Sequence, residues 1–427
     1  MPATTKDKRS IKLFQKLKAY QCMLIADNGN AKIIMQLGKL FHKEAQAAIK
    51  EGNLEKQIAL AHTVLDQCTS AFNDTTNFTT VLKLQHDLKP DYFMCGENLT
   101  PQVLIELNLD REALNLNDAF YVKSQQKTVQ RVVKTLRGAY GEYSGEPFAT
   151  VHGVDYDTAF KVGKLAGKTG VIKAIATGLA GFMNDRQTTN KYRYLGKWCA
   201  FEGDRNIPRK YFQSIAVTVG LIRGFKSVTQ AAPKFHGLGM GSPIAILLLG
   251  FVTYDCPFFA IDSSAPTKNA SMGKLYVSEP AYLTLTVEKL ARGLSTTNTW
   301  DCPCPHCSKF LQDYPMDYKA ARIAFGALKR ADITKDDLMG STALAKALPL
   351  LSDPDDTKFA RIIRTARGGH NYWVVDNLLK KIEETRADYA TLEAWIYQEV
   401  AKYDSHASRL YANSVYEALK FIKKIEL

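Results

Sequence analysis

Short apolar runs alternate with longer helical patterns through the first two thirds of the chain, and this alternation restricts the fold more than any other feature. Strand-like runs occupy Gln21–Ala26, Asp91–Cys95, Phe148–His152, Val171–Thr177, Lys234–Leu238 and Phe258–Asp262. The helical patterns around them include Lys32–Lys50, Leu54–Phe72, Lys123–Tyr140, Asp157–Leu165 and Tyr211–Leu221. A strand that follows a helix in this way pairs in parallel with the strand before it. The pattern predicts an α/β fold, a (β/α)8 TIM barrel, with a doubly wound open sheet as the alternative.

A barrel of this kind predicts where chemistry is located, because the carboxyl ends of its strands carry the active site. The residues at or just beyond the ends of the predicted strands are Asp27, Glu97, His152, Gly178 and Asp262. Four of them have polar side chains that accept or donate protons. We therefore expect a site at this edge of the sheet.

Charge indicates the kind of partner. The 427 residues include 56 Lys and Arg against 43 Asp and Glu, a formal net charge of +13, which favours a polyanion such as a nucleic acid. Two stretches, 191–198 and 205–212, combine cations with aromatic residues. Phosphate attraction together with ring stacking is the usual way to hold exposed nucleic-acid strands, so both stretches are candidates for that role.

The chain lacks the sequence features of a membrane protein. Its longest apolar run, Ile244–Val252, is too short to span a bilayer, since a spanning helix needs about 20 apolar residues. The basic N-terminal segment contains no apolar core of the kind that directs export. We therefore expect a cytoplasmic protein, in which cysteines are reduced or bound to metal rather than paired.

A cysteine cluster near residue 300 predicts a metal site. Cys302, Cys304 and Cys307 lie within six residues, separated by prolines that stiffen the loop. Zinc takes four ligands in a tetrahedron, and closely spaced thiolates supply most of them. His306 lies inside the cluster, where its neighbours crowd the ion, whereas His370 follows two glycines and precedes a predicted helix. We favour His370 as the fourth ligand. A fully ligated zinc has a structural role.

The cysteine cluster also divides the chain. Residues 1–295 are predicted to form the main part of the barrel, and residues 296–375 an inserted zinc-binding subdomain. Residues 376–427 are predicted to form helices that pack on the barrel. Helical patterns in this last third include Tyr318–Arg330, Trp373–Glu384 and an amphipathic stretch over Tyr389–Ile425.

Several motifs occur in the order in which one enzyme family has them. The clearest is the segment 262–276, in which Asp262 is followed by Pro266, Thr267, Asn269, Ala270 and Gly273. Segments 23–30, 93–101, 149–154, 176–181 and 235–243 follow the family's other motifs, and the Cys3His set matches its zinc ligands. The chain thereby resembles the guanine transglycosylases over residues ~20 to 385.

The resemblance implies roles for the residues at the strand ends. Asp262 is implied to be the nucleophile that holds C1′ of the nucleoside, and Asp27 the group that moves protons. Glu97 is implied to accept hydrogen bonds from the base, while His152 and the Gly178 and Leu179 backbone contact its O6 edge. Asp255, in Tyr254-Asp255-Cys256, competes with Asp262 for the role of nucleophile, and the spacing to Pro266 favours Asp262.

Departures from the family direct the expectation toward DNA. The aromatic residue expected after the first aspartate is Ala31, and Ser271 replaces the second arginine of the nucleophile loop. The chain is most similar to the branch that exchanges guanine in DNA for a 7-deazaguanine, here the neutral nitrile preQ0. Single-stranded or melted DNA is the expected polymer, and helper proteins or a homodimer are left open. A tRNA-guanine transglycosylase and a non-catalytic, zinc-stabilised nucleic-acid-binding subunit are the alternatives.

Overall fold

The computed structural model of the chain describes residues 16–19, 23–27, 31–109, 118–179, 181–182, 187–277, 283–286, 302–307 and 357–426. Two compact units are present. Unit 1 comprises Met1–Gly239, Val252–Asp262 and Asn413–Leu427, and unit 2 comprises Met240–Phe251 and Ser263–Ala412. The predicted boundaries near residues 295 and 375 both fall inside unit 2, and they stay predictions.

The strands of the described residues are numbered in chain order. They are β1 (Ile25–Ala26), β2 (Tyr92–Met94), β3 (Glu146–Thr150), β4 (Ala174–Gly178), β5 (Thr188–Thr189), β6 (Lys191–Tyr194), β7 (Lys197–Ala200), β8 (Ile207–Pro208), β9 (Lys234–Leu238), β10 (Phe259–Asp262), β11 (Lys274–Tyr276) and β12 (Thr284–Thr286). Six of them form one sheet in the order β1-β2-β3-β4-β9-β10, with every neighbouring pair parallel. Each of the six overlaps a run that the sequence predicts as a strand, so the α/β class is confirmed.

The six-stranded sheet is curled into a half-barrel. In a flat sheet with strands about 4.8 Å apart, β1 and β10 would be separated by roughly 24 Å. Asp27, directly after β1, is nevertheless close enough to Asp262 for its charge to raise the pKa of Asp262. The described residues contain six parallel strands rather than eight, and their other strands pair antiparallel. The full barrel of the sequence prediction is therefore not confirmed.

The helices are also numbered in chain order. They are α1 (Ala31–Lys50), α2 (Leu54–Asn73), α3 (Thr75–Leu88), α4 (Thr100–Glu106), α5 (Asp118–Leu136), α6 (Tyr156–Gly167), α7 (Arg209–Thr229), α8 (Pro243–Val252), α9 (Ala265–Ser271), α10 (Thr357–Thr385), α11 (Tyr389–His406) and α12 (Arg409–Glu426). None of the helices in the described part of the chain combines the length and apolar character that a membrane span requires.

Helices α6 and α7 of unit 1 pack closely because glycines line their contact. A Cβ atom on Gly224 of α7 would come within 2.8 Å of the carbonyl carbon of Phe160 on α6. Asp155 begins α6 with a capping box, in which its carboxylate accepts from the Thr158 N–H at 2.8 Å. A cap of this kind satisfies backbone donors that a helix start leaves without partners. Because α6 follows β3 in the chain, this capped N-terminus lies toward the carboxyl edge of the sheet.

Between β4 and α7 the chain forms an antiparallel insertion. Strands β5 and β8 pair at its base, and β6 and β7 form a hairpin beyond them. One face of the hairpin packs on α12, where the Phe421 ring lies 5.4 Å from that of Tyr192 and 5.6 Å from that of Tyr194. Because it interrupts a connection that leaves the carboxyl end of β4, the insertion emerges at the same edge as the strand ends.

Two helical predictions in the last third of the chain need correction. The helix predicted from Trp373 begins instead at Thr357, so that His370 lies inside α10 rather than before it. The glycine pair suggested a break, but Gly368 and Gly369 both lie within the helix. The stretch Tyr389–Ile425 is two helices, separated at Ala407, whose backbone is extended. The helix predicted over Tyr318–Arg330 lies outside the described residues.

Candidate active site and metal centre

Asp262 is the last residue of β10, at the carboxyl edge of the sheet. The backbone N–H of Gly239, which follows β9, donates to Asp262 Oδ1 at 2.6 Å. Gly239 has a φ of +78°, a conformation that glycine adopts without strain. The turn after β9 therefore orients one oxygen of the carboxylate and leaves the side chain exposed to solvent.

The surroundings of Asp262 favour its neutral form. Although the side chain keeps access to solvent, partial burial raises its pKa above the ordinary value of 3.8. The Gly239 hydrogen bond opposes this shift, and the negative charge of Asp27 adds to it. A carboxyl group whose pKa is raised by a second carboxylate is a common arrangement at sites of acid–base and nucleophilic chemistry.

Asp27 is tied to the sheet through its backbone. Gln85 of α3 donates through Nε2 to the carbonyl oxygen of Asp27 at 3.3 Å and to that of Met94 at 3.1 Å. Met94 ends β2, the neighbour of β1. The buried amide thus joins the carboxyl ends of two strands and holds the start of the Asp27 loop against the sheet.

Asp255 lies at the other end of β10. It precedes the strand, within the turn after α8, and its carboxylate forms an ion pair with Lys226 of α7. Asp262 follows the same strand and is near Asp27. Asp255 and Asp262 thus lie at opposite ends of β10, and the choice of Asp262 as the nucleophile stays a prediction.

Glu97 and His152 form a buried pair beyond β2 and β3. The side chains are 5% and 1% exposed, and the Glu97 carboxylate contacts His152 Nε2. His152 Nδ1 lies 3.2 Å from both the Gly178 backbone nitrogen and Gln102 Nε2. Since both of these nitrogens carry hydrogens, Nδ1 accepts, and the ring proton is on Nε2, where it is donated to Glu97. These contacts favour the tautomer of His152 that carries its proton on Nε2.

The backbone groups assigned to base recognition have partners within the protein. The Gly178 N–H is directed at His152, and the Leu179 N–H donates to the carbonyl of Leu238 at 2.8 Å. Their role in reading a base stays a prediction, and it requires these N–H groups to exchange partners when a base enters.

Two glutamines of this network have no counterpart in the sequence prediction. Gln102 of α4 donates to the Gly178 carbonyl at 3.0 Å as well as facing His152. Gln125 of α5 accepts from the His152 backbone N–H at 3.0 Å and donates to the Asn98 carbonyl at 3.1 Å. The one signal for Gln102 was its position directly after the Thr100-Pro101 pair of the 93–101 motif.

A small cleft of about 60 Å³ opens beside Glu97. Its wall includes Arg131, whose guanidinium carbon lies 3.6 Å from the centre of the Phe72 ring and 4.7 Å from that of Phe78. Its lining combines apolar side chains with a few polar groups, as the linings of ligand sites do. Glu97 is one of the residues that line this cleft.

His236 is a second histidine inside unit 1, on β9. It is 2% exposed, its ring centre lies 5.7 Å from that of Phe148, and neither ring nitrogen has a hydrogen-bond partner. Burial lowers its pKa from 6.5 to about 4. His236 is therefore neutral near pH 7, and the sequence offered no signal for its burial.

Unit 2 contains the candidate metal centre. The ligand atoms of Cys302, Cys304, Cys307 and His370 all lie within 4.8 Å of one another. His370 Nδ1 is 3.5, 3.5 and 3.4 Å from the three sulfurs in that order. For zinc, with Zn–S near 2.3 Å and Zn–N near 2.05 Å, the corresponding edge of a tetrahedron is about 3.6 Å. The four predicted ligands come together at a spacing that fits a zinc ion.

Other atoms orient the ligands. His370 Nε2 donates to the Tyr276 carbonyl at 2.8 Å, which directs Nδ1 toward the sulfurs, where it could bind a metal ion. The Cys302 and Cys307 side chains hold the pKa of Cys304 well below its usual range. His306 is exposed and outside the cluster, and its ring occupies the space that a Cβ on Gly369 would need. The choice of His370 over His306 agrees with this geometry.

The residue after His370 connects the metal centre to the chain that follows Asp262. Asn371 is fully buried, and its Oδ1 accepts from the Tyr276 N–H at 2.8 Å. Its Nδ2 donates to the carbonyls of Pro266 and Lys274 at 3.0 and 3.1 Å. These hydrogen bonds of Asn371 hold α9, which begins three residues after Asp262, against α10.

The two basic-aromatic stretches differ. In 205–212, Tyr211 and Phe212 are buried, so their rings cannot stack on a nucleic acid. The prediction that these two rings hold a nucleic-acid strand is therefore wrong. In 191–198, Trp198 is 48% exposed. Alternation of aromatic and charged residues did not reveal which rings belong to the core.

Comparison with known proteins adds no assignment: neither a scan against protein-family models nor a search of curated proteins finds a match for this chain.

Proposed function

We propose that this chain is a DNA-guanine transglycosylase that exchanges guanine for a preQ0-type 7-deazaguanine through a covalent aspartyl intermediate. The observation that carries the proposal is the pair Asp27 and Asp262, which come from the two outermost strands of the sheet and interact electrostatically. The buried Glu97–His152 pair beside a cleft supports it, as does the order of the family motifs. The (β/α)8 barrel belongs to the same proposal.

The proposed exchange has two displacement steps. In the first, an Asp262 oxygen attacks C1′ as the C1′–N9 bond to guanine breaks, and Asp27 donates a proton to the leaving base. In the second, the incoming base returns a proton to Asp27, and its N9 attacks C1′ as the bond to Asp262 breaks. The net charge and proton count are unchanged over the cycle, so the reaction needs neither water nor an external oxidant.

Zinc has a structural role in this proposal. Four protein ligands complete a tetrahedron and leave no coordination position for substrate. The ion would hold the Cys302–Cys307 loop against α10, and the hydrogen bonds of Asn371 would extend that order to the residues after Asp262.

The base specificity rests on sequence. In preQ1-using members of the family, the loop that corresponds to Gly178-Leu179-Ala180 is followed, three residues after its alanine, by a glutamate that supports recognition of the charged amine. In this chain the residue three positions after Ala180 is Met183, and Asp185 lies two residues further on. Met183 and Asp185 both lie outside the described residues. A buried ammonium without an acceptor is costly, whereas a nitrile is neutral. In a competition assay with both bases at equal concentration we expect preQ0 to be incorporated. Preferential incorporation of preQ1 would refute this assignment, and Asp185→Ala would then be the variant to make.

The decisive experiment measures exchange of labelled guanine in single-stranded DNA, duplex DNA and tRNA. We expect exchange in DNA, with single-stranded substrate preferred because the base need not be flipped out of a stack. Asp262→Asn should abolish exchange and a denaturation-resistant adduct with DNA, while Asp255→Asn, matched in chemistry, should retain both. Asp27→Asn should slow exchange by roughly 10²–10⁴. Faster exchange in tRNA would support the tRNA enzyme instead, and absence of exchange in all three polymers would leave the non-catalytic alternative.

A further inference from the structure

The turn of the β6–β7 hairpin exposes a large apolar side chain in an unfavourable conformation. Leu195 and Gly196 form a two-residue turn with φ values of +52° and +78°. Turns of this kind normally carry Asn, Asp or Gly at the first position, because a positive φ brings the Cβ of other residues too close to the backbone. Leu195 is nevertheless 69% exposed, so burial does not account for its presence. Strain of this kind is often associated with function.

Buried contacts hold the turn rigidly. The Asp157 carboxylate accepts from the backbone N–H groups of Leu195 and Gly196, both at 2.7 Å. The side chain of Asp157 is 6% exposed, and Arg193 lies 3.5 Å from it. Asp157 is in the first turn of α6, shortly after His152 in the chain. The tip of the hairpin is thus anchored at the edge of the sheet that carries Asp262 and Asp27.

The hairpin also presents a ring and positive charge. The face with Tyr192 and Tyr194 packs on Phe421, and the opposite face leaves Trp198 48% exposed, with Lys191 Nζ 5.0 Å from its ring centre. Residues 191–200 contain three cations and no acidic residue. A cationic element with an exposed ring and an exposed aliphatic tip is complementary to a nucleic-acid strand, with phosphates for the cations and bases for the apolar groups.

We propose that the β6–β7 hairpin opens the DNA strand at the target guanine: Leu195 enters the base stack beside the target, and Trp198 stacks on a neighbouring base. This inference rests on the proposed function, and it identifies the β6–β7 hairpin as the element that separates the target base from its neighbours. Apolar wedges that unstack base steps are a known solution to this problem in DNA-binding proteins, and a flipped base leaves a gap that such a wedge fills.

The test uses the intact protein and two DNA probes. One is a fluorescein-labelled single strand with one guanine, and the other is a duplex with 2-aminopurine beside that guanine, whose fluorescence rises on unstacking. Trp198→Ala should weaken single-strand binding by about 5- to 150-fold, the range for loss of one base–aromatic stack. Leu195→Gly should bind the single strand as the wild type does, yet lose the 2-aminopurine signal and slow exchange in duplex DNA. Its melting temperature should equal or exceed that of the wild type, because glycine relieves the strained turn.

Val171→Ala is the matched control. Val171 is an exposed aliphatic residue near the amino end of β4, at the opposite edge of the sheet, and its truncation should change neither signal. Hairpin variants that bind and unstack DNA like the wild type, in a protein that still exchanges guanine, would overturn the inference and leave the proposed function intact. The inference would also be overturned if the hairpin substitutions weakened binding of an RNA stem-loop but left DNA binding and unstacking unchanged. A wild type that exchanges guanine in no polymer would overturn the proposed function itself.

Discussion

His236 should make the stability of unit 1 dependent on pH. The imidazole is buried in the sheet with no hydrogen-bond partner at either nitrogen, and burial lowers its pKa to about 4. In the unfolded chain the same group binds a proton near its ordinary value of 6.5. As pH falls through 6.5, the unfolded state therefore gains a proton that the folded state refuses, and the folded state loses stability until the pH is below about 4.

The magnitude follows from the two values. Each pH unit of difference in proton affinity corresponds to about 1.4 kcal/mol, so the interval from 6.5 to about 4 corresponds to about 3 kcal/mol of free energy of unfolding. His236→Leu removes the titrating group together with two buried nitrogens that have no partner. We expect this variant to match or exceed the wild type in stability at pH 7.5.

Urea unfolding of both proteins, monitored at a series of pH values between 7.5 and 4.5, measures the effect. The metal ligands also bind protons in acid, and both proteins share that contribution, so the difference between them isolates His236. The advantage of the leucine variant should grow as the pH falls below 6.5. A difference that is constant across the series would refute the reasoning, and so would a leucine variant that is markedly less stable at pH 7.5.

Three further predictions concern other parts of the molecule. Asn371→Ala should lower the free energy of unfolding by about 3 kcal/mol, at about 1 kcal/mol for each of three buried hydrogen bonds. Metal analysis should show that this variant retains zinc. Tyr372→Phe, a change at the exposed neighbouring residue, should change the free energy of unfolding by less than about 0.5 kcal/mol. Gly224→Ala should destabilise by about 1–3 kcal/mol in the same urea assay because its Cβ meets the α6 backbone, whereas Gly368→Ala, with open space around its Cβ, should stabilise by about 0.5–1 kcal/mol. The rate of guanine exchange should fall in acid with a midpoint above 3.8, since the pKa of Asp262 is raised and the nucleophile must be ionised; a midpoint at or below 3.8 would contradict this assignment.

Local patterns made the strands and the metal ligands predictable. The strand that ends in Asp262 is a short apolar run between polar segments, and the spacing of Cys302, Cys304 and Cys307 by itself limits them to one small loop. The choice of His370 needed one further argument, that a histidine within the loop would be crowded. The sequence did not place His370 inside a helix, because two consecutive glycines usually weaken a helix. Whether α10 tolerates Gly368 and Gly369 depends on tertiary packing around them.

Features that depend on tertiary packing could not be predicted. Phe212 and Trp198 occur in similar basic-aromatic stretches, and only the position of α12 decides which ring is buried. Gln102 and Gln125 are ordinary polar residues in sequence. They form hydrogen bonds with His152 only because helices α4 and α5 bring them close to it. All six strand runs identified in the sequence belong to the parallel sheet, whereas the closure of that sheet into an eight-stranded barrel stays a prediction.

The junction of Asp27 and Asp262 has a consequence for the way the protein assembles. One carboxylate belongs to the first strand of the sheet and the other to the last, with most of unit 1 lying between them in the chain. Contacts of such high sequence separation form late, because a long loop must close before they are gained. In the proposed function, the nucleophile therefore meets its proton donor only when the sheet between the two strands has formed. Correct folding would then act as a safeguard against premature covalent chemistry.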